Sequence, residues 1–213
     1  MSHPAPLSPA PSAWNLPNAL TVLRLLLVPV FLLVLLADDG ASSALRVTAF
    51  AVFALAAYTD RVDGRIARSR GLVTSFGKLA DPIADKALTG AALIGLSLLG
   101  ELAWWITVVV MVREVGVTLL RLVVIRHGVM PASRGGKLKT LLQGLAIGLY
   151  VLPLTGVLAS GRALVMAAAV VVTLVTGVDY VLRALTLRQT SERAALKRAR
   201  RAPGALAREG RRP

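Results

Sequence analysis

Apolar residues recur along the chain in long runs that short polar segments separate. Six such runs are present, near residues 19–37, 43–60, 79–99, 102–125, 138–158 and 162–185. A transmembrane helix needs about 20 consecutive apolar residues, and each run comes close to that length. The pattern therefore predicts an all-α polytopic membrane protein with six transmembrane helices.

Composition agrees with this prediction. The chain has 213 residues, of which 55% are hydrophobic, and its mean hydropathy is +0.68. It has no cysteine, which excludes disulfides and thiolate metal sites. Residues 15–185 are predicted to form one integrated helical domain, with a disordered lead at 1–14 and a basic cytosolic tail at 186–213, and no separate soluble domain is left over.

The positive charge is distributed unevenly. The formal net charge is +14, and ten of the 25 Lys and Arg residues lie between Arg183 and Arg212. Most of the others fall in two segments, 61–78 and 126–139, whereas the intervening connections contain few. Basic residues collect on the cytosolic side of membrane proteins, so both termini and both basic segments are predicted to be cytosolic. This distribution argues against a nucleic-acid partner. The residue usage, rich in Ala, Arg and Val, is typical of a bacterium, so the expected location is a bacterial cell membrane.

Three charged residues interrupt the fourth apolar run: Arg113, Glu114 and Arg121. At about 1.5 Å per residue, the first two lie about 16 Å along the helix, near the centre of a bilayer. Charged residues at this depth face a bundle interior or a wet cavity. Two interpretations remain open, a structural Arg–Glu pair or a cytosol-facing polar cavity whose arginines bind an anion.

The segment 59–86 contains two pairs of aspartates. Asp60 and Asp63 are three residues apart, and Asp81 and Asp85 are four apart, so each pair lies on one face of a helix. If the two helices are antiparallel neighbours, the four carboxylates converge at the cytosolic side. An all-oxygen ligand set selects Mg²⁺, Mn²⁺ or Ca²⁺ rather than zinc. Four carboxylates suit two metals, an arrangement used in phosphoryl chemistry.

Small and basic residues accompany the aspartates. Gly64 leaves room for a ligand beside Asp63, and Gly77 lies one turn before Asp81. Arg68 lies about two turns beyond Asp60 and can reach a phosphate from the same side. The pattern predicts a slot for a metal-bound pyrophosphate. The alternative is a charged cytosolic loop whose Asp and Arg residues only pair with one another.

The spacing of these residues, DxxDGxxARx₈GxxxDxxxD from Asp60 to Asp85, resembles the signature of the CDP-alcohol phosphotransferase family. Other stretches resemble the bacterial branch that uses glycerol 3-phosphate as acceptor. They are "NLPNALTVLRLLLVPVF" at 15–31, "ADPIADKAL" at 80–88, "REVGVTLLR" at 113–121 and "GKLKTLLQ" at 136–143. The resemblance covers roughly residues 15–185.

This resemblance implies six transmembrane helices and a homodimer. It implies that two divalent cations, Mg²⁺ or Mn²⁺, are held by Asp60, Asp63, Asp81 and Asp85. It implies that Asp85 is also the general base. The CDP-diacylglycerol headgroup is expected to contact Asn18, Thr21, Asp60, Gly64, Arg68, Thr74 and Gly77.

A phosphorylated acceptor needs cations outside the pyrophosphate slot. The candidates, expected to face one cavity, are Arg113, Arg121, Arg134, Lys137 and Lys139. Because Lys137 and Lys139 are two residues apart, they cannot point the same way on a regular helix, so we expect a loop or a helix start there.

The expected reaction transfers the phosphatidyl group from CDP-diacylglycerol to sn-glycerol 3-phosphate, giving phosphatidylglycerophosphate and CMP for phospholipid biosynthesis among membrane lipids. Alternative functions use the same phosphatidyl transfer with a different acceptor: inositol phosphate, serine or, as in a cardiolipin synthase, phosphatidylglycerol. A divalent-cation transporter is an alternative of another class. It explains the aspartates but not Arg68 or the two glycines at fixed spacing.

Overall fold

The computed structural model describes the backbone of residues 15–72, 74–124 and 134–209. Side chains in this part are described except at Arg68, Ser75, Lys78, Leu79, 121–124, Arg134 and 188–209. The described residues form helices and connections without a strand. The helices are α1 (Leu16–Leu36), α2 (Ser43–Ser69), α3 (Ser75–Leu98), α4 (Trp104–Val124), α5 (Arg134–Val151) and α6 (Gly156–Glu209). The predicted lead at residues 1–14 lies outside the described residues.

All six predicted helices are present, but several ends differ from the prediction. Helix α2 continues past residue 60 to Ser69, because its polar end contains residues that favour helix and no proline. The predicted end of α5 at residue 158 is wrong. The helix ends at Val151, two residues before Pro153, which cannot continue it. The residues between the last two predicted helices, 159–161, instead lie within α6, which begins at Gly156.

Helix α6 also extends beyond its predicted end near residue 185 and reaches Glu209. Residues 186–209 are rich in Ala, Leu, Arg and Lys, which have high helix propensity. No break in secondary structure therefore marks the predicted boundary between the helical domain and the basic tail. The assignment of residues 186–213 as a cytosolic tail stays a prediction.

One part of the core lies where α1 packs between α2 and α3. Phe31 and Leu35 of α1 are fully buried, and the rings of Phe31 and Phe53 have centroids 5.7 Å apart. A Cβ at Gly95 would lie 2.8 Å from the Leu35 side chain, so the glycine lets α3 approach α1 closely without displacing that leucine. This packing fixes the position of α1 relative to both aspartate-bearing helices.

Large apolar side chains also cover the outside of the bundle. Leu33 on α1 is 72% exposed, and Leu164 on α6 is 75% exposed. Two stretches, Leu16–Gly40 and Gly156–Leu187, are long and apolar enough to cross a membrane by length and composition. Together these features indicate a membrane protein.

A group of charged residues lies at the opposite end of the bundle from the aspartates. Arg46, near the start of α2, is buried and donates hydrogen bonds to the carbonyls of Tyr150 and Val151 at the end of α5. It also pairs with Glu101, whose other oxygen lies 2.8 Å from Arg162 of α6. This cluster joins three helices and the α3–α4 connection.

Candidate active site

The aspartates of α2 and α3 lie beside one cavity. The volume of this cavity is about 340 Å³, and its lining residues are Asp60, Arg61, Asp63, Gly64, Arg65 and Asp81. Asp63 is buried, whereas Asp60 and Asp81 are partly buried. The structure thus brings together three of the four predicted metal ligands, with Gly64 next to them.

The fourth aspartate, Asp85, is exposed and does not line the cavity. Its charge nevertheless acts on Asp60, as does the charge of Asp81. The two predicted pairs therefore belong to one electrostatic site, in which several carboxylates repel one another.

A buried arginine from α1 compensates part of this negative charge. Arg24 is fully buried, and its Nη1 lies 2.5 Å from Asp60 Oδ1. Its Nη2 pairs with Asp63 Oδ2. Sequence reasoning did not identify Arg24, although an arginine inside the apolar run 19–37 is a recognisable signal for a buried partner.

Two more polar residues of α1 contact the site. The Thr21 hydroxyl lies 2.6 Å from Asp81 Oδ1 and 3.1 Å from the carbonyl of Pro17. Asn18 Oδ1 accepts a hydrogen bond of 2.9 Å from the Thr74 hydroxyl. Residues 18, 21 and 24 are spaced by three, so they follow one face of α1. Both residues predicted to contact the substrate headgroup from α1 therefore contact residues of the site.

Thr74 and Gly77 form the start of α3. The Thr74 hydroxyl accepts a hydrogen bond from the Gly77 backbone N–H at 3.0 Å, which caps the helix. A Cβ at Gly77 would lie 3.0 Å from Asn18 Oδ1 and 3.3 Å from Thr74 Oγ1. A larger residue at position 77 would therefore displace Asn18 or Thr74, where the start of α3 meets α1 one turn before Asp81.

The oxygen donors around the cavity match divalent cations in their chemistry. All of them are carboxylate oxygens, the ligands that Mg²⁺ and Mn²⁺ prefer. Among the described residues, however, no three Asp, Glu or His side chains lie close enough to form a metal-ligand cluster. One oxygen each of Asp60 and Asp63 contacts Arg24, and Asp85 lies at the surface. The donor atoms are of the type that these cations prefer, but the carboxylates are spread around the cavity instead of converging on one point.

A second polar cluster lies where α3, α4 and α5 meet. Glu114 is buried and accepts hydrogen bonds from Lys86 at 3.2 Å, Arg113 at 2.9 Å and Lys139 at 2.5 Å. Arg113 also donates to the Thr176 hydroxyl of α6 at 2.9 Å. We call Lys86, Arg113, Glu114 and Lys139 the basic cluster. It contains three cations and one anion, so its net charge is positive.

The basic cluster includes two of the five predicted acceptor residues, Arg113 and Lys139. Lys137 is exposed while Lys139 is buried, as expected for residues two apart, and both lie near the start of α5. The Arg–Glu pair considered in the sequence analysis is present as well. Lys86 was missed, although it directly follows Asp85. The side chains of Arg68, Arg121 and Arg134 lie outside the described residues.

Comparison with known proteins gives the family. The model of the CDP-alcohol phosphatidyltransferase family matches residues 14–175. The chain belongs to this family. The match includes all four signature aspartates and both polar clusters, and the chain is therefore an enzyme of the phosphatidyltransferase class.

Curated relatives extend the similarity over most of the chain. A probable phosphatidylglycerophosphate synthase of Mycobacterium tuberculosis (strain H37Rv) is 60% identical over 181 residues, which cover 83% of this chain and 87% of the relative. A CDP-diacylglycerol–glycerol-3-phosphate 3-phosphatidyltransferase of Bacillus subtilis (strain 168) is 38% identical over 180 residues, covering 78% and 93%. An enzyme of the same name from Rickettsia typhi is 40% identical over 140 residues, covering 65% and 76%.

Proposed function

We propose that the protein transfers the phosphatidyl group of CDP-diacylglycerol to the 1-hydroxyl of sn-glycerol 3-phosphate, releasing CMP and forming phosphatidylglycerophosphate. The observation that carries this proposal is the cavity lined by Asp60, Asp63, Gly64 and Asp81 in a chain of this family. The names of the M. tuberculosis and B. subtilis relatives support glycerol 3-phosphate as the acceptor.

In the proposed site, Asp60, Asp63, Asp81 and Asp85 hold two divalent cations, Mg²⁺ or Mn²⁺. When bound, these cations supply positive charge that neutralises the diphosphate and stabilises the departing CMP. Gly64 and Gly77, which carry no side chain, let the diphosphate approach the backbone, and Arg68 adds a charged donor. Asn18, Thr21 and Thr74 complete the headgroup site.

The reaction is an in-line substitution at the diacylglycerol-side phosphorus. The acceptor oxygen forms the new P–O bond while the P–O bond to the cytidylate breaks, and the electron pair of that bond leaves with CMP. Asp85 receives the proton of the acceptor hydroxyl. Its exposure on α3, beside the charges of Asp60 and Asp81, supports this role because a water-soluble acceptor must reach it.

The acceptor phosphate is bound by the basic cluster. The cluster has more positive than negative charges, because Glu114 is paired with three cations, Arg113, Lys139 and Lys86. This excess of positive charge favours a phosphate dianion over an uncharged acceptor. Arg121, Arg134 and Lys137 are assigned to the same subsite on the basis of the sequence.

The remaining parts of the proposal concern topology and assembly. Residues 15–185 form a six-span catalytic domain in the bacterial plasma membrane, with both termini and the cavity on the cytosolic side. The basic residues of 61–78, 126–139 and 186–213 support this orientation. The enzyme works as a homodimer among the lipids that supply its substrate.

An acceptor panel tests the proposed function. Purified protein receives CDP-diacylglycerol, Mg²⁺ or Mn²⁺ and one acceptor, namely glycerol 3-phosphate, inositol 1-phosphate, serine or phosphatidylglycerol, and CMP release is measured. We expect release with glycerol 3-phosphate alone. Asp85→Asn should abolish it, whereas Asp179→Asn, which changes an exposed aspartate paired with Arg183 on α6, should not. Release only with another acceptor would overturn the choice of acceptor, and cation flux without CMP release would support a transporter.

A further inference from the structure

Arg24 lies outside the family signature, yet it contacts two of the signature aspartates. Its side chain comes from α1, which is otherwise mostly apolar, and is completely buried. On the basis of the metal site proposed above, we propose that Arg24 is a positioning residue: its planar fork fixes Asp60 and Asp63 so that one oxygen of each carboxylate stays available for a divalent cation.

The distribution of contacts supports this role. Arg24 uses Nη1 for Asp60 Oδ1 and Nη2 for Asp63 Oδ2, so it contacts a single oxygen of each carboxylate. Both carboxylates line the cavity. Carboxylates that bind a metal are commonly oriented by hydrogen bonds from groups that do not touch the metal themselves, and the guanidinium supplies such bonds here.

The energetics of burial point the same way. A buried guanidinium is tolerated only when other groups pair with it. Among the described residues Arg24 Nε has no hydrogen-bond partner, so the two aspartates alone compensate the charge of Arg24. In return, Arg24 cancels part of the repulsion between carboxylates only three residues apart. Breaking these contacts would free both aspartates to rotate apart.

The Thr21 hydroxyl acts on Asp81 in the same manner, one turn earlier on α1. Thr21 and Arg24 together hold one oxygen of three different aspartates, from two helices. One face of α1 therefore orients the carboxylates on α2 and α3 at the same time.

A simpler role for Arg24 would be to supply positive charge alone. Lysine keeps that charge but has a single ammonium group instead of a planar fork, so it cannot reproduce both hydrogen bonds in the same geometry. Arg24→Lys therefore separates positioning from neutralisation. Positioning predicts weaker metal binding in Arg24→Lys, whereas neutralisation alone predicts unchanged binding.

The test measures Mn²⁺ binding to the purified full-length protein by electron paramagnetic resonance, without substrate. We expect Arg24→Lys to raise the Mn²⁺ dissociation constant about 10-fold or more. The matched control is Arg46→Lys, the same substitution at another buried, paired arginine far from the cavity, which should bind Mn²⁺ like the wild type. Unchanged affinity in Arg24→Lys, or equal loss in both variants, would overturn the inference.

Thr21→Val provides a second route if Arg24→Lys does not fold. It is close in volume and removes only the hydroxyl that contacts Asp81, and we expect a several-fold loss of Mn²⁺ affinity. An unchanged affinity would contradict the positioning role of α1. The metal site itself is tested separately, because the proposed function fails if the wild type binds no Mn²⁺ or if Asp63→Asn binds it equally well.

Discussion

Glu114 is the only acidic residue of the basic cluster, and this leads to a quantitative prediction for Glu114→Gln. The substitution preserves the shape of the side chain and removes its charge. Three cations, Lys86, Arg113 and Lys139, would then face one another without the carboxylate that now lies within 3.2 Å of each. We expect the folded protein to lose stability.

The size of the loss follows from distance and burial. At 2.9 Å and an effective dielectric constant of about 20, a single pair of opposite charges interacts by about 6 kcal/mol before solvation is counted. Measured losses on removing one partner of a buried pair are smaller, about 3–5 kcal/mol, because remaining groups relax. For a chain of this size, each kcal/mol lowers the melting temperature by about 2–4 °C, so we expect a decrease of roughly 6–20 °C.

The assay measures thermal unfolding in detergent: the sample is heated, and the remaining folded protein is then quantified by size-exclusion chromatography. The control is Asp179→Asn, which breaks an exposed ion pair with Arg183 and should lower the melting temperature by only a few degrees, because exposed pairs contribute about 0–1 kcal/mol. Glycerol 3-phosphate should stabilise Glu114→Gln more than the wild type, since its phosphate can replace the lost carboxylate. A melting temperature within about 2 °C of the wild type would refute the reasoning.

Three other predictions concern the capped helix start, the distant ion-pair cluster and the metals. Gly77→Ala places a Cβ 3.0 Å from Asn18 Oδ1, so we expect the free energy of unfolding to fall by about 1–3 kcal/mol and CMP release to decrease. A wild-type melting temperature and wild-type activity would contradict this. Arg46→Gln removes one of the ion pairs of Glu101 and should lower the free energy of unfolding by about 3 kcal/mol, measured by thermal unfolding. The folded fraction should keep wild-type specific activity and Mn²⁺ affinity. EDTA should abolish CMP release, and excess Mg²⁺ or Mn²⁺ should restore it; full activity in EDTA would exclude the proposed metal dependence.

The helices were predictable because apolar length is a strong signal. The ends of the helices were not predictable from hydropathy, since a helix can continue into polar sequence until a residue that disfavours helix ends it. Helix α2 passes through its charged end to Ser69, and α5 stops before Pro153 although the apolar pattern continues. Proline and capping residues, rather than hydropathy, decide these boundaries.

The shared cavity of Asp60 and Asp63 was also predictable, because residues three apart on a helix lie on one face. The partners of Arg24 were not predictable, because they lie 36 and 39 residues away in sequence and local spacing carries no information about them. Lys86 was overlooked for a related reason. It adjoins Asp85 in sequence, whereas its ammonium group contacts Glu114 on another helix.

Asp85 and Lys86 connect the two polar clusters through a single helix. Consecutive residues on a helix point about 100° apart, so the two side chains leave α3 in different directions. The charge of Asp85 acts on Asp60 of α2, and Lys86 reaches Glu114 of α4. If one cluster binds the diphosphate and the other the acceptor phosphate, the rigid backbone of α3 sets the distance between the two substrates, and the predicted base lies on that helix between them. Reaction geometry would then depend on the packing of α3 against α1, where Gly77 and Gly95 allow close approach.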